Sequence, residues 1–189
     1  MPTALRVLGI VGSLRTGAYN ARLMDAAAAF APPGMTIERC SLADIPVYNQ
    51  DVEADGDPAA VASLRAAVRD ASALLIASPE YNYGVPGVLK NAIDWISRPP
   101  GHSPLHRKPV AIMGVSIGPS GTMRMQLQLR LTLQALDMYA MPKPEIVMAF
   151  CKDKFDADGR LADPKTLEHL KGFMASFAEW ARRFLPPTS

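Results

Sequence analysis

The sequence predicts an α/β fold in which a five-stranded parallel sheet is covered by helices on both faces. Segments with strand-like and helix-like patterns alternate five times along the 189 residues, and such alternation is typical of parallel sheets. The central strand segments, such as Ala73–Ala77, are continuously apolar, as expected of strands buried on both faces. A chain of this length forms one domain, which we place at residues 1–189.

The first half of the chain contains two predicted strands and two predicted helices. Apolar or alternating runs predict the strands, and alanine-rich or i, i+3, i+7 apolar patterns predict the helices. In order, the elements are a strand at Leu8–Val11 with Leu5 and Val7 before it, a helix at Asn20–Phe30, a strand at Met35–Cys40, a surface loop at Ser41–Asp57, and a helix opened by Pro58 with apolar Val61, Leu64 and Val68.

The second half of the chain continues the alternation. In order, the elements are a strand at Ala73–Ala77, a helix at Val85–Ile96, a loop at residues 98–108, a strand at Pro109–Val115, a helix at Met123–Leu136, a strand at Glu145–Phe150, a mostly polar stretch at 152–164, and an amphipathic helix between Leu167 and Phe184. The helix at Met123–Leu136 has apolar residues at alternate positions, more than one core-facing stripe needs. This pattern predicts an interface between copies of the chain, unless one subunit buries them all.

Composition excludes several classes of protein. Twenty Lys and Arg against eighteen Asp and Glu give a net charge of +2, which argues against a nucleic-acid partner. Cys40 and Cys151 lie outside any CxxC pair, which favours a reducing compartment and no zinc ribbon. We find neither a signal peptide nor an apolar run near the roughly 20 residues of a membrane span. We therefore expect a cytoplasmic protein with no membrane partner.

The loop after the first strand, Gly12–Asn20, has the composition of a phosphate site. It combines small residues, two hydroxyls and one guanidinium with a helix that follows at once, and helix N-termini and arginines bind phosphate. A plain turn with an N-cap is the alternative. Ala18-Tyr19 replace the Lys-Ser/Thr of a P-loop, and Gly9 and Gly12 do not complete GxGxxG. A terminal monophosphate such as that of FMN fits better.

The loop after the third strand, Ser78–Gly87, has two tyrosines and an asparagine in a rigid frame of proline and glycine. Such a loop can cradle a planar ring. Taken alone, a helix N-cap with aromatic packing explains it more simply. Together with the phosphate loop it favours a binding site, with one loop suited to a phosphate and the other to a ring, because ligands of these sheets bind at the carboxyl ends of strands where the strand order reverses.

The loop after the fourth strand, Gly114–Gly121, matches the GxSxG motif of hydrolases. We disfavour that function because Gly118 and Pro119 delay the helix that should follow Ser116 directly. The downstream histidine, His169, belongs to an amphipathic helix, where a surface position is more common. A glycine-rich loop that lines a flat ligand is the simpler interpretation.

Two motifs resemble the NADPH-dependent FMN reductase family, which includes bacterial chromate and quinone reductases. They are Gly12-Ser13-Leu14-Arg15 with Asn20, and Ser78-Pro79-Glu80-Tyr81-Asn82-Tyr83-Gly84-Val85-Pro86-Gly87-Val88-Leu89-Lys90-Asn91-Ala92-Ile93-Asp94-Trp95. Lys143-Pro144-Glu145 and the segment from Gly159 to Phe177 extend the resemblance over most of the chain. It implies a flavodoxin-like three-layer sandwich with strand order 2-1-3-4-5, noncovalent FMN, NADPH or NADH as reductant, and self-association as a homodimer or as a homotetramer made of two dimers.

The resemblance also implies which residues bind the cofactor. These are Ser13, Arg15, Tyr19 and Asn20 at the phosphate, Pro79, Glu80, Tyr81, Asn82, Tyr83 and Gly84 along the ribityl chain and ring, and Ser116 and Gly118 on the third side. Ala18 departs from the serine usual in the family, so one phosphate hydroxyl is missing. Leu127 replaces a tyrosine that, in chromate reductases, joins the counterparts of Arg124 and Glu145 between subunits. That change argues against a stable tetramer and a preference for chromate.

The implied reaction is ping-pong: NAD(P)H delivers a hydride to the flavin and leaves, and a small-molecule acceptor then takes the electrons at the same face. A quinone, an azo compound, a metal oxyanion or free flavin fits as acceptor. No catalytic side chain is assigned, because the flavin carries the chemistry, and Glu80 is interpreted as a helix N-terminal carboxylate. The alternative function is an FMN-binding electron carrier or regulatory module without NAD(P)H activity.

The loop at residues 98–108 is rich in basic residues and histidines. His102 and His106 lie four residues apart, but Pro104 breaks any helix between them and no third ligand is near, so we predict no metal site. Arg107 and Lys108 are interpreted as solubilising charge. A border of the NAD(P)H entrance is the alternative.

Overall fold

The structure is a computed structural model that describes residues 4–185, and in this range it contains one parallel sheet. Its strands are β1 (Leu5–Val11), β2 (Met35–Cys40), β3 (Ala73–Ala77), β4 (Pro109–Val115), β5 (Tyr139–Ala140) and β6 (Ile146–Met148). They follow the order β2-β1-β3-β4-β5, with β6 also paired to β4. Gly9 aligns with Leu75, and Ile76 with Ile112. The predicted strand order is confirmed, and the carboxyl ends of all strands lie at one edge.

Residues 4–185 contain six α-helices, and five of them cover the two faces of the sheet. The six helices are α1 (Tyr19–Ala29), α2 (Gln50–Ala54), α3 (Ala59–Asp70), α4 (Gly87–Ile96), α5 (Met123–Ala135) and α6 (Pro164–Arg182). Helices α1 and α6 pack on one face through residues such as Leu23 and Phe173, and α3, α4 and α5 pack on the other through residues such as Leu64 and Leu129. The two buried clusters make the predicted three-layer sandwich. None of these helices has the length and hydrophobicity to cross a bilayer.

The composition of each strand follows from its place in the sheet. Every residue of β3 and β4 is buried, because helices cover both faces of the central strands and both side-chain directions meet apolar neighbours. At the sheet edge, β2 buries only Met35 fully and leaves Glu38 and Arg39 exposed. The apolar runs therefore identify the strands whose ends form the centre of the carboxyl edge.

Helix α2 lies in the segment that we predicted as a loop, Ser41–Asp57. Its N-cap is Asn49, whose Oδ1 accepts a hydrogen bond from the N–H of Asp51 at 2.9 Å. Asp51 and Glu53 in the first turn favour the helix dipole. No residue of α2 is buried, so no apolar periodicity marks this helix in the sequence.

The fifth strand position is filled by two fragments, so the predicted strand at Glu145–Phe150 is wrong in its limits. β5 pairs with the start of β4, where Pro109 aligns with Tyr139, and β6 pairs with its end, where Gly114 aligns with Val147. Pro144, between the fragments, has no N–H to donate to a ladder. After Met148 the chain leaves the sheet, and Phe150 has a left-handed φ of 48°.

Helix starts differ from the prediction by one to three residues. Helix α1 begins at Tyr19, and α4 begins at Gly87, because Pro86 occupies its N-cap with an extended ψ of 138°. Helix α6 begins at Pro164 after Asp163, whose carboxylate accepts from the N–H of Thr166 at 2.8 Å. Hydrogen bonds from Thr166 hold the pKa of Asp163 below its usual range.

Gly172→Ala is expected to stabilise the protein by about 0.5–1 kcal/mol, because alanine loses less backbone entropy in a helix. Gly172 lies within α6, and a Cβ there meets no atom within 4 Å. Gly34→Ala is the matched control: its Cβ also has open space, but its φ of 81° is strained for alanine. Urea unfolding should therefore show opposite shifts for the two variants, and equal shifts would contradict the argument.

Candidate functional site

The carboxyl ends of β1, β3 and β4 are drawn together around Ser78. The N–H of Gly12 donates to the carbonyl of Ala77 at 2.9 Å, and the N–H of Ser78 donates to Met113 at 3.1 Å. A Cβ on Gly12 would overlap Ser78 Oγ, and a Cβ on Gly114 would lie 2.6 Å from the Ser78 carbonyl oxygen. Glycine at both positions therefore allows the first residues of the three loops to lie close together.

The first loop, residues 12–18, leads into α1 through an N-cap that has no side-chain donor or acceptor. Ala18 is the N-cap and makes no side-chain capping bond, so the first N–H groups of α1 keep their capacity for a ligand. The guanidinium carbons of Arg15 and Arg22 lie 6.0 Å and 5.6 Å from the ring centroid of Tyr19. Two cations and a free helix N-terminus make this loop attractive to an anion.

Asn20 is buried and anchors α1 to the sheet. Its Nδ2 donates to the carbonyl of Val115 at 3.0 Å, and its Oδ1 accepts from the Val115 N–H at 3.0 Å. Only 3% of the residue is exposed. The side-chain amide therefore positions the first loop beside the third. Because both of its polar atoms are bonded to Val115, the backbone N–H of Asn20 is the group that can bind a ligand.

The second loop, residues 78–86, contains a tight turn that presents two tyrosines. Tyr81 and Gly84 exchange backbone hydrogen bonds of 3.2 Å and 2.9 Å, and the residues between them, Asn82 and Tyr83, have φ of 49° and 65°. Two left-handed central residues define a type I′ turn. Tyr81 is 50% exposed and Tyr83 66%. The Tyr81 hydroxyl lies 3.2 Å from Ser13 Oγ, which joins the second loop to the first.

Glu80 is a buried helix N-terminal carboxylate, as interpreted from the sequence. It accepts from Arg124 Nε at 2.6 Å and from the N–H of Met125 at 3.0 Å. Arg124 thus pairs with Glu80 within the chain, whereas Glu145 lies near Lys143, at 2.9 Å, and Arg130, at 3.7 Å. Sequence reasoning missed this role of Arg124, although an arginine in a first helical turn is unfavourable to the helix dipole and is itself a signal.

The third loop, residues 116–121, is tied to the end of β6. Ser116 donates its N–H to the Met148 carbonyl at 2.9 Å, and its Oγ accepts from the N–H of Gly118 at 3.1 Å. His169 Nε2 lies 2.8 Å from the carbonyl oxygen of Glu145. The serine and the histidine of the GxSxG hypothesis have separate structural partners, which does not favour a nucleophile elbow.

Both cysteines are free thiols, Cys40 half-buried and Cys151 buried. Burial raises the pKa of Cys40 to about 11, and burial also raises the pKa of Cys151. A neutral thiol is a poor nucleophile. Neither cysteine is therefore favoured as a nucleophile.

The basic loop at residues 98–108 lies at the opposite, amino edge of the sheet, since it leads directly into β4. Lys108 Nζ donates to the Ala71 carbonyl at 2.6 Å and to the Arg69 carbonyl at 3.2 Å, which covers the last turn of α3. Burial lowers the pKa of Lys108. His106 Nδ1 lies 3.3 Å from an Asp137 carboxylate oxygen. The loop therefore lies at the edge of the sheet opposite the loops that follow β1, β3 and β4, which favours solubilising charge over the alternative that it borders the NAD(P)H entrance.

Comparisons with known proteins identify the family of this chain. Residues 5–153 match the NADPH-dependent FMN reductase family. The chain is 48% identical to an NAD(P)H-dependent FMN reductase of Pseudomonas aeruginosa, over 97% of this chain and 98% of the relative, and 42% identical to a quinone reductase of Escherichia coli over 97% and 98%. The solved structure of FerB, a flavoenzyme NAD(P)H:(acceptor) oxidoreductase from Paracoccus denitrificans, superposes with a TM-score of 0.88 at 34% identity, over 95% of this chain and 98% of FerB. The chain therefore belongs to the NADPH-dependent FMN reductase family, and it is a flavodoxin-like oxidoreductase that uses FMN and NAD(P)H.

Proposed function

We propose that this single-domain protein passes electrons from NAD(P)H through FMN to a quinone by a ping-pong mechanism. The observation that carries the proposal is the hydroxyl contact between Ser13 and Tyr81. It joins a loop suited to a phosphate with a loop suited to a planar ring, at the edge where such sheets bind ligands. The residues present therefore fit FMN, with the phosphate at the start of α1 and the ring beside the tyrosines.

Each predicted cofactor residue has a role in this proposal. Bound FMN supplies the two-electron redox chemistry. Ser13, Arg15 and the first N–H groups of α1 hold the phosphate, with Tyr19 beside the two guanidinium groups. The second loop, Pro79 to Gly84, orients the ring, and Ser116 and Gly118 close the third side. Asn20 and Glu80 keep these loops in place through their buried hydrogen bonds.

A quinone is favoured as acceptor because the rim of the site is apolar. Leu14 of the first loop is 56% exposed, and Ile117 of the third loop is 58% exposed. Phe150 is 60% exposed, and its N–H donates to the carbonyl of Gly118 in the third loop. With the two tyrosines they surround the cradle with surface that suits a flat, apolar molecule. A relative from Burkholderia, 38% identical over 95% of this chain and 97% of its own length, is a 2-hydroxy-1,4-benzoquinone reductase.

The test is anaerobic stopped-flow absorbance of the FMN-reconstituted protein, mixed separately with NADPH and NADH and then with acceptors. We expect rapid bleaching of the flavin band, with the faster nucleotide identifying the preferred reductant. Rapid reoxidation by a quinone, and slow reoxidation by chromate, azo dye or free FMN, supports the proposed acceptor. A protein that binds FMN and is bleached by neither nucleotide is a carrier or module, and failure to bind FMN refutes the three-loop cradle.

Ala18→Ser is expected to tighten FMN binding about fivefold, because one more hydrogen bond to the phosphate contributes about 1 kcal/mol. Ala18 is the N-cap of α1 and carries no polar side-chain atom. Fluorescence titration of FMN measures the dissociation constant, and the melting temperature of the apoprotein is the control. An unchanged dissociation constant with a raised melting temperature would mean that the hydroxyl caps α1 instead.

We also propose a cytoplasmic homodimer formed through α5. Met125, Leu129 and Leu133 are buried within the subunit, whereas Met123, Leu127 and Leu131 are 54%, 58% and 68% exposed. The exposed residues form one stripe at i, i+4 and i+8, which a second copy of the chain can cover. Sedimentation of Leu127→Asp should show monomers where the parent chain shows dimers. If the parent chain forms tetramers, they must use an interface that does not depend on a tyrosine at the position of Leu127.

A further inference from the structure

Arg124 occupies the first turn of α5, where a cation is electrostatically unfavourable. The N-terminus of a helix carries partial positive charge, so an arginine there needs compensation. Glu80 supplies it, because its Oε1 lies 2.6 Å from both Nε and Nη2 of Arg124. The Glu80 side chain is only 5% exposed. The guanidinium and the buried carboxylate therefore compensate each other at the start of α5.

Arg124 also covers the ring of Tyr83. Its Cζ lies 3.6 Å from the ring centroid, well within the range of cation–π attraction. Tyr83 has a φ of 65°, a conformation that bulky residues rarely adopt. Its carbonyl accepts from Nε2 of Gln128 at 2.9 Å. Two residues of α5 therefore hold a strained turn in place, and strain of this kind persists only where neighbours fix it.

We propose that Arg124 is a positioning residue that acts through Tyr83 to hold the Tyr81–Gly84 turn where it lines the flavin ring. This inference rests on the proposed function and adds to it a residue outside the predicted cofactor set. Glu80 fixes the guanidinium, the guanidinium fixes the Tyr83 ring, and the backbone bonds of the turn carry that position to Tyr81. Tyr81 in turn meets Ser13 of the phosphate loop. The contact thus governs affinity for FMN and for the molecule that stacks on it.

The test is a double-mutant cycle with Arg124→Lys and Tyr83→Leu in the full chain reconstituted with FMN. Lysine keeps a positive charge beside Glu80 but loses the flat guanidinium that stacks on the ring. With Tyr83 present, Arg124→Lys should raise the dissociation constant of FMN and the KM for quinone about fivefold, with little change in kcat. In the Tyr83→Leu background the same substitution should change neither constant by more than about 1.5-fold.

Arg130→Lys is the matched control on the same helix. Arg130 has a carboxylate neighbour, Glu145 at 3.7 Å, and donates to the Met141 carbonyl at 3.0 Å, but it covers no ring of the second loop. We expect wild-type constants for this variant. The melting temperature of each apoprotein shows whether the fold is affected.

Equal effects of Arg124→Lys in both backgrounds, or losses that follow the melting temperature, would overturn the inference and leave the arginine a purely structural role. The cycle on FMN affinity does not depend on turnover. If the parent protein binds FMN but is not reduced by either nucleotide, the proposed function fails, while the titrations still decide whether Arg124 acts through Tyr83.

Discussion

Gly114→Ala is expected to lower the free energy of unfolding by about 2–3 kcal/mol and to remove most FMN binding. A Cβ at this position would lie 2.6 Å from the carbonyl oxygen of Ser78 and would overlap Thr122 Oγ1. Neither neighbour can yield easily, because Ser78 bonds to β4 and Thr122 is the buried N-cap of α5. Relief of the overlap has to move the second loop away from the third, which widens the cradle.

Gly87→Ala is the matched control for this prediction. Gly87 is the first residue of α4, directly after the same second loop, and its Cβ meets no atom within 4 Å. Urea unfolding of the apoproteins and titration with FMN should separate the two variants. Wild-type stability and wild-type affinity of Gly114→Ala would show that close approach at Ser78 does not shape the site.

Arg15→Ala is expected to weaken FMN binding by about 2 kcal/mol, or about 30-fold, because a charge-assisted hydrogen bond to phosphate is lost. Arg15 is exposed in the first loop, and within residues 4–185 no carboxylate lies at salt-bridge distance from it. Its removal should therefore cost little stability. The effect should shrink at high salt, because screening weakens the contribution of the charge in the parent protein.

Arg6→Ala is the control for charge alone. Arg6 lies at the opposite end of β1, where its Nη2 donates to the carbonyl of Asp70 at 2.8 Å. Isothermal titration with FMN should give the parent affinity for this variant. Equal weakening by both substitutions would mean that the net charge of the protein, rather than the first loop, attracts the phosphate.

The central strands and the three loops that follow β1, β3 and β4 could be located from the sequence because each depends on neighbours in the chain. Continuous burial of β3 and β4 produces apolar runs, and the loops follow those runs directly. The parallel sheet then brings the loop starts together without further information. Helix α2 and the divided fifth strand position escaped prediction, since one is exposed and the other depends on pairing with the two ends of β4.

The contacts that join the loops could not be predicted, because their partners lie far apart in sequence. Asn20 bonds Val115 across 95 positions, and Glu80 bonds Arg124 across 44. A polar residue at a helix start suggests a ligand contact when its neighbours are unknown. Only the folded chain shows that the Asn20 amide bridges α1 and β4, and that Arg124 completes the second loop from outside the motif.

The two short strands at the fifth position of the sheet, β5 and β6, also limit strand pairing between copies of the chain. An open strand edge is a template for intermolecular pairing and aggregation. Here β5 has two residues and β6 three, too few for a foreign strand to add along them, and Pro144 interrupts the donors between them. At the other edge, β2 exposes Glu38 and Arg39, whose charges oppose strand addition. Both edges of the sheet therefore disfavour the addition of a strand from another copy of the chain.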